Sequence, residues 1–287
     1  MIRTEAVAPS RELPDEALLQ SAIEFHSGKQ YGIARQLYAQ LLEQNPSHEV
    51  AWHNLGLVEH MTGRHQQAAE YIGKAIDLKP DYVRAYANLT AVLRETRQFE
   101  AARQTAARAI RLDPDFAPTH NNLGNVLEDI GEPQAALDAY AEARRIDPFF
   151  VEAYINAVEL LRKLDRPEEA LKLCAAIADK RPDAANPHFA AGNILRGLLR
   201  INEASAAFRQ AIALRPDFVE AYCNLGNMLQ LRGDFPDAIA AYQSALAIDP
   251  DLAEVHCNLG GAYESLRRRR HALRRCGRGQ DGRRNRQ

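Results

Sequence analysis

Seven prolines, Pro46, Pro80, Pro114, Pro148, Pro182, Pro216 and Pro250, recur at intervals of 34 residues. A fixed period of this size means one supersecondary unit stacked many times, which excludes most folds before any element is assigned. Counting each proline as position 32 puts Ala34, Ala68, Ala102, Ala136, Ala170, Ala204, Ala238 and Ala272 all at position 20. Position 8 holds Gly56, Gly124, Gly192, Gly226 and Gly260, with Ala22, Thr90 and Val158 as departures. Position 4 holds Trp52, Tyr86, His120, Tyr154, His188, Tyr222 and His256.

Each unit reads as two amphipathic helices, such as 221–231 and 236–248, joined by a turn such as Arg232-Gly233-Asp234 and closed by Asp249-Pro250. Helices approach closely where side chains are small, so Gly or Ala at position 8 is expected to face Ala at position 20. Tyr38, Tyr140, Phe208 and Tyr242 at position 24 then fill the space beside that contact, with Cys174 and Cys276 as core residues at the same position. Pro118, Pro133, Pro167, Pro187 and Pro236 fall where helices begin and a missing N–H costs nothing.

This pattern resembles the tetratricopeptide repeat from Asp15 to about Cys276. The resemblance implies an all-α protein, a right-handed α-solenoid of helix-turn-helix units without β-sheet. The expected organisation is a disordered segment 1–14, a solenoid over 15–266 with seven full repeats and the first helix of an eighth, and an Arg-rich tail over 267–287. In that family the first helices line a groove through positions 2, 5, 6, 9, 12 and 13. Position 6 reads Gln20, Asn54, Asn88, Asn122, Asn156, Ala190, Asn224 and Asn258, and Asn125, Asn193 and Asn227 extend the polar strip at position 9.

Asparagine is a mediocre helix former, so its recurrence needs a reason. Its amide presents donors and an acceptor that can pair with the N–H and C=O of an extended peptide without reading side chains. The row resembles the asparagine ladder of O-linked N-acetylglucosamine transferases and Spindly-type proteins, as do His120-Asn121-Asn122-Leu123-Gly124-Asn125 and Ala221-Tyr222-Cys223-Asn224-Leu225-Gly226-Asn227. Either the amides serve a peptide, or they were inherited by duplication and bond within and between repeats. A groove offers only water or ligand to a half-buried amide, which favours the peptide.

A carboxylate clamp for acidic tails is missing: position 2 offers only Arg84 as a base, and Glu152, Glu220 and Glu254 make the later groove acidic. Neutral to basic peptides or proteins are the expected partners. Ten arginines and one acid in 267–287 give the tail +9, leaving the body at −11. Nucleic acid is therefore excluded as a general partner and left to the tail alone.

No apolar stretch reaches membrane-helix length and the start lacks a signal-peptide core, which points to the cytoplasm and no membrane. Cys174, Cys223, Cys257 and Cys276 form no CxxC pair. His26, His53 and His60 map to the groove, but His53 and His60 stand seven residues, about 10.5 Å, apart along one helix, too far to share a metal. No metal or other cofactor is expected, and His120, His188 and His256 are expected to pack between helices.

The repeats hold no P-loop, no GxGxxG before a helix and no nucleophile with an adjacent base. The chain is thus expected to be a non-catalytic interaction scaffold; the alternative is the substrate-recognition part of a truncated or split O-linked glycosyltransferase. Arg267 to Cys276 is expected to form a short helix covering Leu259 and Tyr263, with disorder from Gly277 to Gln287. That arginine segment reads as a docking tail, a truncation or frameshift product, or a solvated end. Self-association through the C-terminal end is also expected.

Overall fold

A computed structural model describes residues 14–284, with side chains through residue 271. The expectations for residues 1–13 and 285–287, and for the side chains of Ala272, Leu273 and Cys276, lie outside the described residues. Among the described residues there are fifteen α-helices and no strand.

The period is kept to the residue. First helices start at position 1: α1 (Asp15–Ser27), α3 (Glu49–Met61), α5 (Val83–Glu95), α7 (Ala117–Asp129), α9 (Val151–Lys163), α11 (Ala185–Gly197), α13 (Val219–Arg232) and α15 (Ala253–Arg284). Second helices start at position 17: α2 (Tyr31–Gln44), α4 (His65–Leu78), α6 (Phe99–Leu112), α8 (Pro133–Ile146), α10 (Pro167–Lys180), α12 (Ile201–Leu214) and α14 (Phe235–Ile248).

One device stops the first helix in each of the seven full repeats. The N–H at position 16 reaches back to the carbonyl at position 11, as in Arg64 to Glu59, Arg200 to Leu195 and Asp234 to Leu229, each at 2.9 Å. This six-to-one closure requires a left-handed residue at position 15. Gly63, Gly131 and Gly233 supply it freely, whereas Lys29, Arg97, Asp165 and Leu199 adopt φ of 54° to 58° at a steric cost.

The chain divides into two compact units, Met1–Asn156 and Ala157–Gln287, with the division inside α9. In the first, successive helices pack in chain order from α1 to α8, and α1, α3, α5 and α7 also touch one another in turn. In the second, α10 to α15 pack in chain order and α13 touches α15. Each is a stack of helical hairpins.

Inside the hairpins the alanines at position 20 from Ala34 to Ala238 are fully buried. What presses on the position-8 glycines, however, is mainly the position-24 side chain and not that alanine. A Cβ on Gly124, Gly192 or Gly226 would stand 2.4–2.5 Å from the ring of Tyr140, Phe208 or Tyr242, and one on Gly56 would stand 2.5 Å from Ile72. Where position 24 is small, at Ala106 and Cys174, position 8 is larger, at Thr90 and Val158. Volume is conserved across the contact, as close packing demands.

The eighth repeat departs from expectation. α15 runs unbroken to Arg284, through Gly277, Gly279 and Gly282, so no turn separates a second helix from the first. Gly260 consequently has nothing within 4 Å of its would-be Cβ, and Tyr263 is 48% exposed.

Candidate functional site

All nine asparagines of the expected strip are half-buried. In the first unit, Asn54 sits beside Tyr38 and His53. Asn88 Nδ2 donates to His53 Nε2 at 2.9 Å, and Asn122 Nδ2 to the Ala87 carbonyl at 2.9 Å. Asn156 Nδ2 donates to the Oδ1 atoms of Asn121 (2.9 Å) and Asn125 (3.0 Å). In the second unit, Asn224 Nδ2 donates to Asn193 Oδ1 at 3.0 Å and Asn258 Nδ2 to Asn227 Oδ1 at 3.2 Å.

Every one of these five position-6 amides thus turns its N–H toward the preceding repeat. One N–H of each amide, and both at Asn156, is thus given to stacking, so the row serves the neighbouring repeat before it can serve a ligand. Asn224 Oδ1 already accepts from Arg196 Nη1 at 3.0 Å. Two of the three position-9 amides are held from behind: the Tyr140 hydroxyl reaches Asn125 Oδ1 at 2.8 Å and Glu128 at 3.1 Å, and the Tyr242 hydroxyl reaches Asn227 Oδ1 at 2.7 Å and Gln230 at 3.0 Å. Burial pushes the Tyr242 phenol up to about 12; burial and then the Glu128 carboxylate push Tyr140 upward as well. Both stay neutral donors.

At position 2 of the first helices the exposed charges are mainly acidic. Glu152 stands exposed on the first unit's α9 turn, and Glu220 and Glu254 stand exposed in the second unit. Arg84 is the exposed base at the same repeat position. Cys223 is half-buried; burial, then Glu220 and Glu254, push its thiol up, so it is no activated nucleophile. Burial pushes the Cys174 thiol up to about 11.

The histidines divide by role. His53 is 5% exposed, and besides accepting from Asn88 it meets the Tyr82 hydroxyl at Nδ1 over 3.2 Å. Burial, with the Arg84 charge second, pushes it down to about 4, so it is a neutral core group. His60 Nδ1 lies 3.0 Å from His65 Nδ1. That neighbour lies across the turn, which a reading along one helix does not reach. Among the described residues no group of three His, Cys, Asp or Glu is gathered for a metal.

Position 4 carries a signal that sequence reading left unused: its residues Trp, Tyr and His all bear a polar hydrogen. Trp52 Nε1 donates to the Pro46 carbonyl at 2.8 Å, Tyr86 to Pro80 at 3.3 Å and Tyr154 to Pro148 at 3.4 Å. His120 Nε2 reaches Pro114 at 2.8 Å and His256 Nε2 reaches Pro250 at 2.9 Å. At these five places the side chain satisfies the carbonyl that closes the preceding repeat, so Phe would not serve there.

No helix among the described residues is long and apolar enough to cross a membrane. Family models described as tetratricopeptide repeat match residues 25–83, 60–123 and 130–192, and one described as TPR repeat matches 192–231 and 226–266. No curated protein matches the chain. Among solved structures, the C-terminal part of a TPR repeat-containing protein from Cytophaga hutchinsonii is 12% identical, with TM-score 0.63 over 84% of this chain and 99% of that one. PilF of Pseudomonas aeruginosa is 20% identical, with TM-score 0.58 over 70% and 92%. YrrB, described as a TPR protein with an unusual peptide-binding site, is 22% identical, with TM-score 0.51 over 68% and 99%. At these identities the likeness is one of fold.

Proposed function

The chain belongs to the tetratricopeptide repeat family, and from that premise we propose that it is an interaction scaffold holding extended, neutral to basic peptide segments on the first-helix faces of its two units. The observation that carries the reading is the set of half-buried asparagines that each give an N–H to the preceding repeat and whose Oδ1 atoms at Asn88, Asn122, Asn156 and Asn258 take no donor among the described residues. A half-buried acceptor without a partner suits a backbone N–H of an extended chain. Successive stacked helices lie roughly 8–10 Å apart, close to three residues of extended peptide at about 3.3 Å each. Exposed Glu152, Glu220 and Glu254 favour lysine or arginine in that peptide. The same fold carries a peptide-binding site in YrrB, by that structure's description.

The narrower reading, acceptor recognition for an O-linked glycosyltransferase, rests on the asparagine row and its flanking motifs alone, and no contact in the structure favours it over a general scaffold. The test is capture on an array of unstructured peptides of varied charge. We expect capture of neutral to basic peptides, weakened by Asn122→Ala with Asn258→Ala and made less salt-sensitive by the Glu152, Glu220 and Glu254 to Gln triple variant. Capture equal in wild type and the asparagine variant, or a preference for acidic peptides, would refute it.

A further inference from the structure

The turn between α3 and α4 brings two imidazoles together outside the asparagine strip. His60 lies in the last turn of α3 and His65 is the first residue of α4; their Nδ1 atoms stand 3.0 Å apart, with ring centroids 5.0 Å apart and planes inclined by 60°. Both side chains are half-buried, so solvent reaches them.

The frame that holds them is fixed independently of the rings. Gly63 at φ 80° turns the chain, Arg64 N–H closes on the Glu59 carbonyl at 2.9 Å, and Thr62 Oγ1 donates to Val58 O at 2.8 Å. Glu59, 2% exposed, binds Arg35 at 2.8 Å and also binds Arg64. That pairing neutralises the cation nearest the histidines along the chain. The Glu95 carboxylate of the next repeat adds negative charge near His60.

Two nitrogens bound to one ion at about 2.0–2.1 Å stand about 2.9 Å apart at a right angle and about 3.3 Å apart at the tetrahedral angle. The observed 3.0 Å lies within that span, so both rings can reach one ion, and cis imidazole pairs of this kind suit the tetragonal coordination of Cu2+ and Ni2+. We propose that His60 and His65 form a two-imidazole chelate for a divalent ion of the Cu2+ or Ni2+ class, with Nδ1 of each ring as the ligand atom and the remaining positions open to water or to a donor on a bound partner.

Without metal, the proton between the rings makes one an Nδ1–H donor and the other an acceptor. Coordination needs both Nδ1 lone pairs, so the donor ring changes tautomer and carries its proton on Nε2. No net proton is released when both rings begin neutral. The open positions follow from the absence, among the described residues, of a third His, Cys, Asp or Glu gathered at the pair.

The test is calorimetric titration of the full chain with Ni2+ at neutral pH in a non-chelating buffer. His60→Gln and His65→Gln remove one ligand each, and His271→Gln on the exposed face of α15 is the control. We expect each of the first two to take up one Ni2+ fewer per chain than wild type, with an unchanged helical circular dichroism spectrum, while the control matches wild type. A second measurement is electron paramagnetic resonance with one equivalent of Cu2+, expected to show two coordinated nitrogens in wild type and one in either variant. No uptake by wild type, uptake unchanged in either ligand variant, or a Cu2+ spectrum without two-nitrogen coupling overturns the proposal.

Discussion

Replacing Gly226 by alanine tests the packing logic of the repeats at one atom. The added methyl carbon would lie 2.4, 2.7 and 2.8 Å from Cε1, Cδ1 and Cζ of Tyr242. That ring is fully buried, and its hydroxyl is tied to Asn227 and Gln230, so it cannot swing aside. Overpacking of this kind costs about 1–3 kcal/mol, and a rigid ring at such distances puts the cost at the upper end. Alanine recovers about 1 kcal/mol of helix propensity. The net loss is therefore about 2 kcal/mol. Gly260→Ala is the internal control, because nothing lies within 4 Å of its Cβ; there the propensity gain of about 0.5–1 kcal/mol is unopposed.

Stability is read from urea titrations with hydrogen exchange resolved over α13 and α14, since stacked repeats need not unfold in one step. Tyr242→Ala completes a double-mutant cycle. The chain already contains small position-24 residues opposite larger position-8 ones, at Thr90 with Ala106 and Val158 with Cys174. The double variant should accordingly lose about 2 kcal/mol less than the sum of the singles. Equal stability of Gly226→Ala and wild type, or equal losses at Gly226 and Gly260, would refute the reasoning.

Two further expectations concern backbone and charge. Leu199 holds φ of 56° while 75% exposed, so Leu199→Gly should stabilise the chain by about 1 kcal/mol, seen as a raised urea midpoint; a lowered midpoint would show that the leucine side chain is needed at the turn. His53 is pushed down to about 4 from an ordinary 6.5, so below pH 6.5 the unfolded chain binds the proton more readily than the folded one. Its contribution is complete above pH 6.5 and lost as pH falls toward 4, a total of about 3 kcal/mol. The difference in unfolding free energy between wild type and His53→Gln should shrink over that window, and a difference independent of pH would contradict the assignment.

Much of the fold was legible because the register is written several times over. Proline at 32, alanine at 20 and glycine at 8 each mark a position where a larger or more flexible residue would disturb a contact, and helix starts at positions 1 and 17 follow from them. The eighth repeat shows where such reading stops. Position 15 there is Arg267, and a left-handed arginine must be offset by a second helix packing behind it. Arg97 is offset in that way, since α6 packs on α5. Position 24 of the eighth repeat is Cys276, with no ring to fill the notch at Gly260, and arginine is a good helix former. Continuing the helix then costs less than turning, and α15 passes straight through.

The asparagines were legible as a row but not in their direction, because an amide at position 6 can face a ligand or the repeat behind it. The structure supplies a rule that the sequence also obeys. Each asparagine at position 9, Asn125, Asn193 and Asn227, is followed 31 residues later by one at position 6, Asn156, Asn224 and Asn258, and the later residue donates to the earlier one. Where position 9 is Leu57 or Ala91, the next asparagine bonds position 5 of the preceding repeat instead, the His53 ring or the Ala87 carbonyl. Where it is Glu159, whose carboxylate is taken by Arg162 at 2.6 Å, position 6 is Ala190 and no amide is present to be satisfied. Recurrence of asparagine is thus accounted for first by stacking, and whatever the row does for a ligand it does with the amide atoms that stacking leaves over. That ordering gives each substitution two readings: Asn156→Ala removes two inter-repeat bonds along with one acceptor, whereas Asn122→Ala removes one of each. Comparing their effects on stability with their effects on peptide capture separates the two roles of the same side chain.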